Sequence, residues 1–295
     1  MRFWIATFAL FSLTGFALAD DLDDNYAALK DAQAKKDADT VKKLAVETNK
    51  SAKAEAAKPQ PSDASEVDHW KQRVEFAKEV QTFAEYSLAT TANAVPTKSV
   101  ELVDALVEMN PKSMYLDSCA GTYLSALSKE GAKKYGEGAQ KILTAAPNNE
   151  DALFALATGG MNGTYAARLI NVMKSKAKPE GIGEADWDKK KSLYLGQGYY
   201  VAGAAACNKS TWTDCDKNLR AALPLVSKEP GVAGPTYFYL GLANYNLSKL
   251  TNDRVKLQEA EKFSEQSAAI AGPMQQQAMR NVAAMKQELA APVRR

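Results

Sequence analysis

The chain has 295 residues, of which 46% are hydrophobic and 24% are charged, and its formal net charge is only +2. This composition is typical of a soluble, folded protein. The near balance of charge argues against nucleic acid or an anionic membrane as the main partner. Stretches rich in Ala, Leu and Lys, with few runs of Ile or Thr, favour helices.

The N-terminus has the parts of a secretory signal peptide. Met1-Arg2 is a short basic start, Phe3 to Leu18 is mostly apolar, and Ala17-Leu18-Ala19 is a cleavage motif of small residues. The apolar run of about 16 residues is shorter than the ~20 that a membrane-spanning helix needs. We therefore predict cleavage after Ala19, a periplasmic or secreted location, and no stable membrane insertion of the mature chain. An uncleaved membrane anchor is the alternative.

Residues 20–64 form a low-complexity segment rich in Ala, Lys and Asp. Apolar residues at helical spacing predict two helices with a break between Lys36 and Asp39. Their apolar stripes are thin, so we expect weak docking. Residues 50–64, which include Pro59 and Pro61, are predicted to be a fraying helix end and a linker.

Two later stretches, Ser192 to Tyr200 and Tyr237 to Tyr245, carry the same small pattern. In each, a Leu-Gly pair follows the first residue by three positions, and an aromatic residue follows the glycine by four. The glycine allows a second helix to approach closely, and the bulky residues fill the space above and below it. Cys119-Ala120 and Leu156-Ala157 occupy the same place in two further units. This pattern indicates a series of helical hairpins.

The hairpins resemble the tetratricopeptide repeat (TPR) family over roughly residues 66–273, most closely in 147–164, 192–201 and 237–247. The resemblance implies an all-α fold in which antiparallel helical hairpins stack in a right-handed TPR-like superhelix, or α-solenoid. This domain is predicted over residues 65–291, with a capping helix at its C-terminal end. An irregular all-helical bundle with antiparallel pairs is the alternative.

In the family that the chain resembles, the first helix of each hairpin lines the concave side. The resemblance therefore implies a non-enzymatic scaffold that binds a protein or peptide partner there. The predicted partner-binding positions lie on the outward side of the first helices: Phe154 and Met161; Leu193, Gln197 and Tyr200; Phe238, Leu242 and Tyr245. Packing of these side chains against neighbouring helices is the alternative.

The sequence carries no recognised catalytic, cofactor or metal motif. One histidine, His69, cannot form a His-rich metal site, and the run Lys189 to Lys191 predicts a solvated helix face. We predict no enzyme activity, no cofactor and no bound metal. Two alternatives stay open. One is a cell-envelope enzyme that uses carboxylates such as Glu150, Asp151 or Asp186, and the other is a carrier with a small-ligand cavity inside the superhelix.

The cysteines fit an exported protein. Cys207 and Cys215 bracket a short polar segment, and export makes a disulfide between them possible. We predict this bridge, with two separately packed thiols as the alternative. Cys119 lies in an apolar helical pattern and is predicted to be a small buried residue.

Overall fold

The computed structural model describes residues 17–179 and 181–291, and within them the only regular structure is helical. The all-α prediction is therefore confirmed. The helices, in chain order, are α1 (Ala17–Lys35), α2 (Ala38–Ala56), α3 (Val67–Ala94), a 3₁₀ turn (Pro96–Lys98), α4 (Ser99–Met109), α5 (Leu116–Ser128), α6 (Ala132–Ala145), α7 (Glu150–Gly159), α8 (Gly163–Ser175), α9 (Glu184–Asn208), α10 (Trp212–Val226), α11 (Pro230–Thr251), α12 (Arg254–Ala268) and α13 (Gln275–Ala290).

Short polar side chains fix where several helices begin. Asp37, Asn149, Asn162 and Asp253 each accept a hydrogen bond from a backbone N–H in the first turn of α2, α7, α8 and α12. These caps satisfy donors that have no partner inside the helix. Asn252 ends α11 in the left-handed conformation, which asparagine tolerates better than most residues.

The chain divides into two compact units, which we call the N-terminal unit and the C-terminal unit. The first ends at Lys129 and contains α1–α5, and the second begins at Glu130 and contains α6–α13. The predicted domain boundary after residue 64 lies inside the N-terminal unit, in the connection between α2 and α3.

In the N-terminal unit, α1 and α2 form a hairpin that packs against α3. Leu22 of α1 lies in a core cluster with Ala52 of α2 and with Ala77 and Val80 of α3. All four side chains are fully buried. Alanine brings helix backbones close together, so a thin apolar stripe can still make a dry contact. The helices α1 and α2 therefore pack more closely on α3 than their thin apolar stripes predict.

The C-terminal unit is built from helices packed in neighbouring pairs. The hairpins α7–α8, α9–α10 and α11–α12 follow one another, and α13 packs against α12. The first helices also contact each other, α7 with α9 and α9 with α11. This arrangement is compatible with a helical-repeat fold.

The glycines of both Leu-Gly pairs lie where two helices meet. A Cβ atom at Gly196 would lie 2.9 Å from Cγ1 of Val226 in α10. A Cβ atom at Gly241 would lie 2.5 Å from Oγ of Ser264 and 3.2 Å from the carbonyl oxygen of Ala260, both in α12. The close approach that the sequence pattern predicts is confirmed.

The cysteines follow the prediction. Cys207 at the end of α9 and Cys215 at the start of α10 are within disulfide-bonding distance, with Cα atoms 5.1 Å apart. Both lie in a core cluster with Leu219 and Leu240. Cys119 is a free, fully buried thiol, and burial raises its pKa to about 12.

Removal of the disulfide gives the first testable result. We expect the double change Cys207→Ala and Cys215→Ala to lower the free energy of unfolding by about 2.5 kcal/mol, because the unfolded chain regains the entropy of the short closed loop. Urea denaturation measures this loss, and a thiol reductant should produce a similar loss in the wild type. Cys119→Ala is the control, and its free energy of unfolding should fall on reduction as that of the wild type does. An unchanged wild-type midpoint on reduction would contradict the expectation.

Candidate functional site

A stacked pair of aromatic rings joins two first helices of the C-terminal unit. The rings of Phe154 in α7 and Tyr194 in α9 lie 4.3 Å apart with an interplanar angle of 16°. The Tyr194 hydroxyl donates a hydrogen bond to Oδ1 of Asp151, and the ammonium of Lys190 lies 5.2 Å from the centre of the Tyr194 ring. The Tyr194 ring is therefore held by Phe154 and Lys190, which lie over its faces, and by Asp151 at its hydroxyl.

A buried charge cluster lies beside this pair. Glu150 is only 4% exposed and pairs with Lys176 and, at 3.0 Å, with Lys190. Lys190 also lies 2.8 Å from Asp151. The expectation that Lys190 belongs to a solvated face is therefore wrong, because its ammonium bridges two carboxylates at the start of α7.

The charges of the cluster hold each other ionised. Burial alone would raise the pKa of Glu150, but the hydrogen bond from Lys176 and the charge of Lys190 outweigh it, so the pKa lies below its ordinary value. Burial alone would lower the pKa of Lys190, but the carboxylates of Asp151 and Glu150 outweigh it and raise that pKa. Burial, followed by the negative charge of Asp151, raises the pKa of the Tyr194 phenol, which stays protonated.

Local sequence explains the position of each group. Asn149 caps α7, so Glu150 and Asp151 fall in the first turn, where a carboxylate is stabilised by the helix dipole. Lys190 and Tyr194 are four residues apart on α9 and therefore lie on one face of the helix.

Three of the predicted partner-binding residues lie in α9 or in the turn after α7. Leu193 in α9 and Met161 in the turn after α7 are each 40% exposed. Met161 adopts a positive φ of 49°, which is uncommon for a residue with a side chain. Gln197, one helical turn after Leu193, is half-buried.

Tyr200, another predicted partner-binding residue, is more buried than Leu193 and Met161. Its half-buried ring packs against one core cluster that contains Leu240 and a second that contains Ala157 and Val201. Burial, with a smaller effect of Tyr239, raises the pKa of its phenol. These contacts favour the packing alternative for Tyr200, and a partner-binding role for it stays a prediction.

The three predicted partner-binding residues on α11 have different surroundings. Phe238 and Leu242 are half-buried, and the Phe238 ring meets Tyr239 edge-on at 5.6 Å. Tyr245 packs against the cluster that contains Met285 of α13, and its hydroxyl lies 3.5 Å from Glu288. The contacts of Tyr245 with the last helix favour a packing role for this residue.

The sequence interpretation missed a row of rings in the N-terminal unit. The centres of neighbouring rings in this row lie 5.2–5.9 Å apart, and its members are Tyr26, Phe76, Phe83, Tyr86 and Tyr115. It runs over α1 and α3 to the residue before α5. The sequence pattern from which this row could have been predicted is the spacing of Phe76, Phe83 and Tyr86, which places three rings near one face of α3.

The three carboxylates considered for catalysis differ in burial and in their charged neighbours. Glu150 and Asp151 are neutralised by lysines, whereas Asp186 is exposed in the first turn of α9. Across the described ranges, no three His, Cys, Asp or Glu side chains form a group that could hold a metal ion. In the same ranges, no helix has both the length and the apolarity to cross a membrane.

Comparison with known proteins gives no match: no protein-family model fits the chain, and no curated protein is similar to it in sequence.

Proposed function

We propose that the mature chain is an exported, non-enzymatic helical-repeat protein, and that its C-terminal unit binds a protein or peptide partner along α7, α9 and α11. The observation that carries the proposal is the stacked pair of Phe154 and Tyr194, together with Leu193, which precedes Tyr194 on α9 and is 40% exposed. Aromatic side chains that are held rigid lose little entropy on binding and are enriched among the residues that dominate binding energy.

The order of helix contacts supports the same surface. Because α7 contacts α9 and α9 contacts α11, the first helices form a continuous layer within the C-terminal unit. In a TPR-like superhelix of the kind that the sequence resembles, this layer is the concave side. An extended or helical peptide could then contact several repeats at once, which is how repeat arrays use their length.

The charge cluster supports a binding role over a catalytic one. A general acid or base works best with a pKa near the operating pH, and for a carboxylate this means a raised pKa. The pKa of Glu150 is shifted in the opposite direction by Lys176 and Lys190. The cluster instead supports the ring of Tyr194, since Asp151 accepts its hydroxyl hydrogen bond.

Export is the remaining part of the proposal. The signal peptide predicted over residues 1–19 lies mostly outside the described residues, which begin at Ala17. The pairing of Cys207 with Cys215 is compatible with an oxidising compartment.

A peptide-display selection on the purified chain from Asp20 to Arg295 tests the binding proposal. We expect the selected peptides to share a consensus. Leu193→Asp should weaken their binding at least about tenfold, because it replaces an exposed apolar side chain on α9 by a charged one. Affinity is measured by fluorescence anisotropy of the labelled consensus peptide.

Val255→Asp is the matched control, since Val255 is 65% exposed near the turn between α11 and α12. It introduces the same charge at an apolar surface position outside α7 and α9, and it should leave the affinity unchanged. Selection without a consensus, or equal effects of the two changes, would contradict the proposal.

A further inference from the structure

The N-terminal unit contains a groove between α2 and α4 that has no role in the proposed function. Its volume is about 310 Å³. Val46 of α2 and Ala105 and Met109 of α4 supply its apolar lining, and Val46 is 46% exposed. This volume is at the low end of ligand sites, and the groove is open to solvent. It therefore fits one side chain of a longer ligand better than a whole enclosed molecule.

A buried asparagine, whose side-chain oxygen has no hydrogen-bond partner among the described residues, lines the same groove. Asn49 is 5% exposed, and among the described residues its Oδ1 atom has no hydrogen-bond partner. A buried polar group that is left unpaired costs free energy, and most native structures avoid it. Rotation about χ2 exchanges the two amide atoms, so Asn49 can present either a donor or an acceptor to a ligand.

The rim of the groove is basic. Lys50 and Lys53 of α2 lie on it together with one acid, Glu108 of α4. Lys50 forms no ion pair within the described part of the chain, and Lys53 donates a hydrogen bond to the carbonyl oxygen of Met109 at 3.2 Å. Two lysines against one glutamate favour an acidic ligand.

We propose that this groove binds a short acidic peptide segment of a partner protein. A main-chain amide of the segment pairs with Asn49, since a peptide group offers the donor and the acceptor that a carboxamide requires. An aliphatic side chain of the segment packs on Val46 and Met109. Its acidic side chains face Lys50 and Lys53. The site belongs to the N-terminal unit and does not depend on the surface proposed for the C-terminal unit.

Titration of the isotope-labelled chain from Asp20 to Arg295 tests this site. The probe is the acetylated and amidated peptide Glu-Glu-Leu-Glu-Glu, and the matched probe has lysines in place of the glutamates. We expect the acidic probe to shift the NMR signals of the Asn49 side-chain amide and of its neighbours in α2 and α4. The basic probe should bind at least about tenfold more weakly, because it meets like charges.

Two variants separate binding from folding. Asn49→Leu removes the unpaired amide oxygen and keeps a similar side-chain volume, so we expect a Tm higher by about 2–4 °C together with at least tenfold weaker binding of the acidic probe. A residue that serves only the fold would lower the Tm. Lys50→Glu should also weaken binding at least tenfold, whereas Lys129→Glu makes the same charge change outside the groove and should not.

Three results would overturn the proposal. The first is the absence of any shift at Asn49 with the acidic probe, and the second is equal binding of the two peptides. The third is tighter binding of octanoate than of the acidic peptide at the same signals, because the groove would then prefer a small carboxylic acid to a peptide segment. Lys50→Glu keeps the test decisive even if Asn49→Leu does not fold.

Discussion

Replacement of Gly241 by leucine is expected to lower the free energy of unfolding by about 3 kcal/mol or more. The carbonyl oxygen of Ala260 and the amide nitrogen of Ser264 lie 3.2 and 3.3 Å from the position of a Cβ atom at Gly241. Both atoms belong to the backbone of α12 and cannot rotate away. Helices α11 and α12 must therefore separate to admit the new side chain. Urea denaturation monitored by far-UV circular dichroism measures the loss.

Gly136→Leu is the matched control for this change. Gly136 also lies inside a helix, α6, but apart from its chain neighbours and the nearby backbone of its own helix no atom of the described residues lies within 4 Å of its Cβ position. We expect this variant to be unchanged or to gain up to about 1 kcal/mol, because leucine has a higher helix propensity than glycine. If the two variants lost the same stability, close helix contact would not be the reason for glycine at position 241.

The second large effect is expected at the buried charge cluster. Glu150→Gln should lower the free energy of unfolding at neutral pH by about 3 kcal/mol, because it leaves two lysines beside a single carboxylate. This is the lower end of the range for a broken buried ion pair. The lower end applies because the side chains of Lys176 and Lys190 are 26% and 27% exposed, so water partly screens their charges. Glu137→Gln is the control, since Glu137 is an exposed residue of α6 and its loss should not be measurable.

The pH dependence of this effect has a definite sign. The pKa of Glu150 in the folded chain lies below its ordinary value of 4.5, so its ionised form stabilises the fold. This contribution is complete above pH 4.5 and is lost as the pH falls through the lower pKa of the folded state. The stability difference between wild type and Glu150→Gln should therefore be constant near neutral pH and shrink in acid. A difference that grew on acidification would contradict the assigned ion pairs.

The helices of this protein are largely predictable from the sequence, because their ends are marked locally. Pro96 begins the 3₁₀ turn before α4, Pro147 follows α6, and Asn149 caps α7. Periodicity within each helix also identifies the buried side, as at Leu240. These signals involve residues close in sequence, which are the interactions that local pattern can encode.

Contacts between distant residues explain what the sequence interpretation missed. Phe154 is predicted as an outward residue, but its ring partner Tyr194 is 40 positions away on α9. Lys190 is interpreted as solvated because nothing local indicates that Glu150 lies beside it. In both cases the pattern identifies the face of a helix, whereas the fold decides what covers that face.

An NMR map of the bound consensus peptide shows directly whether a partner binds along α7, α9 and α11. The chain from Asp20 to Arg295 is titrated with the peptide obtained by display. We expect the largest shifts around Leu193, Gln197 and Phe154, and we expect these shifts to vanish in Leu193→Asp. Shifts confined to the second helices α8, α10 and α12, or shifts that persist in Leu193→Asp, would contradict it.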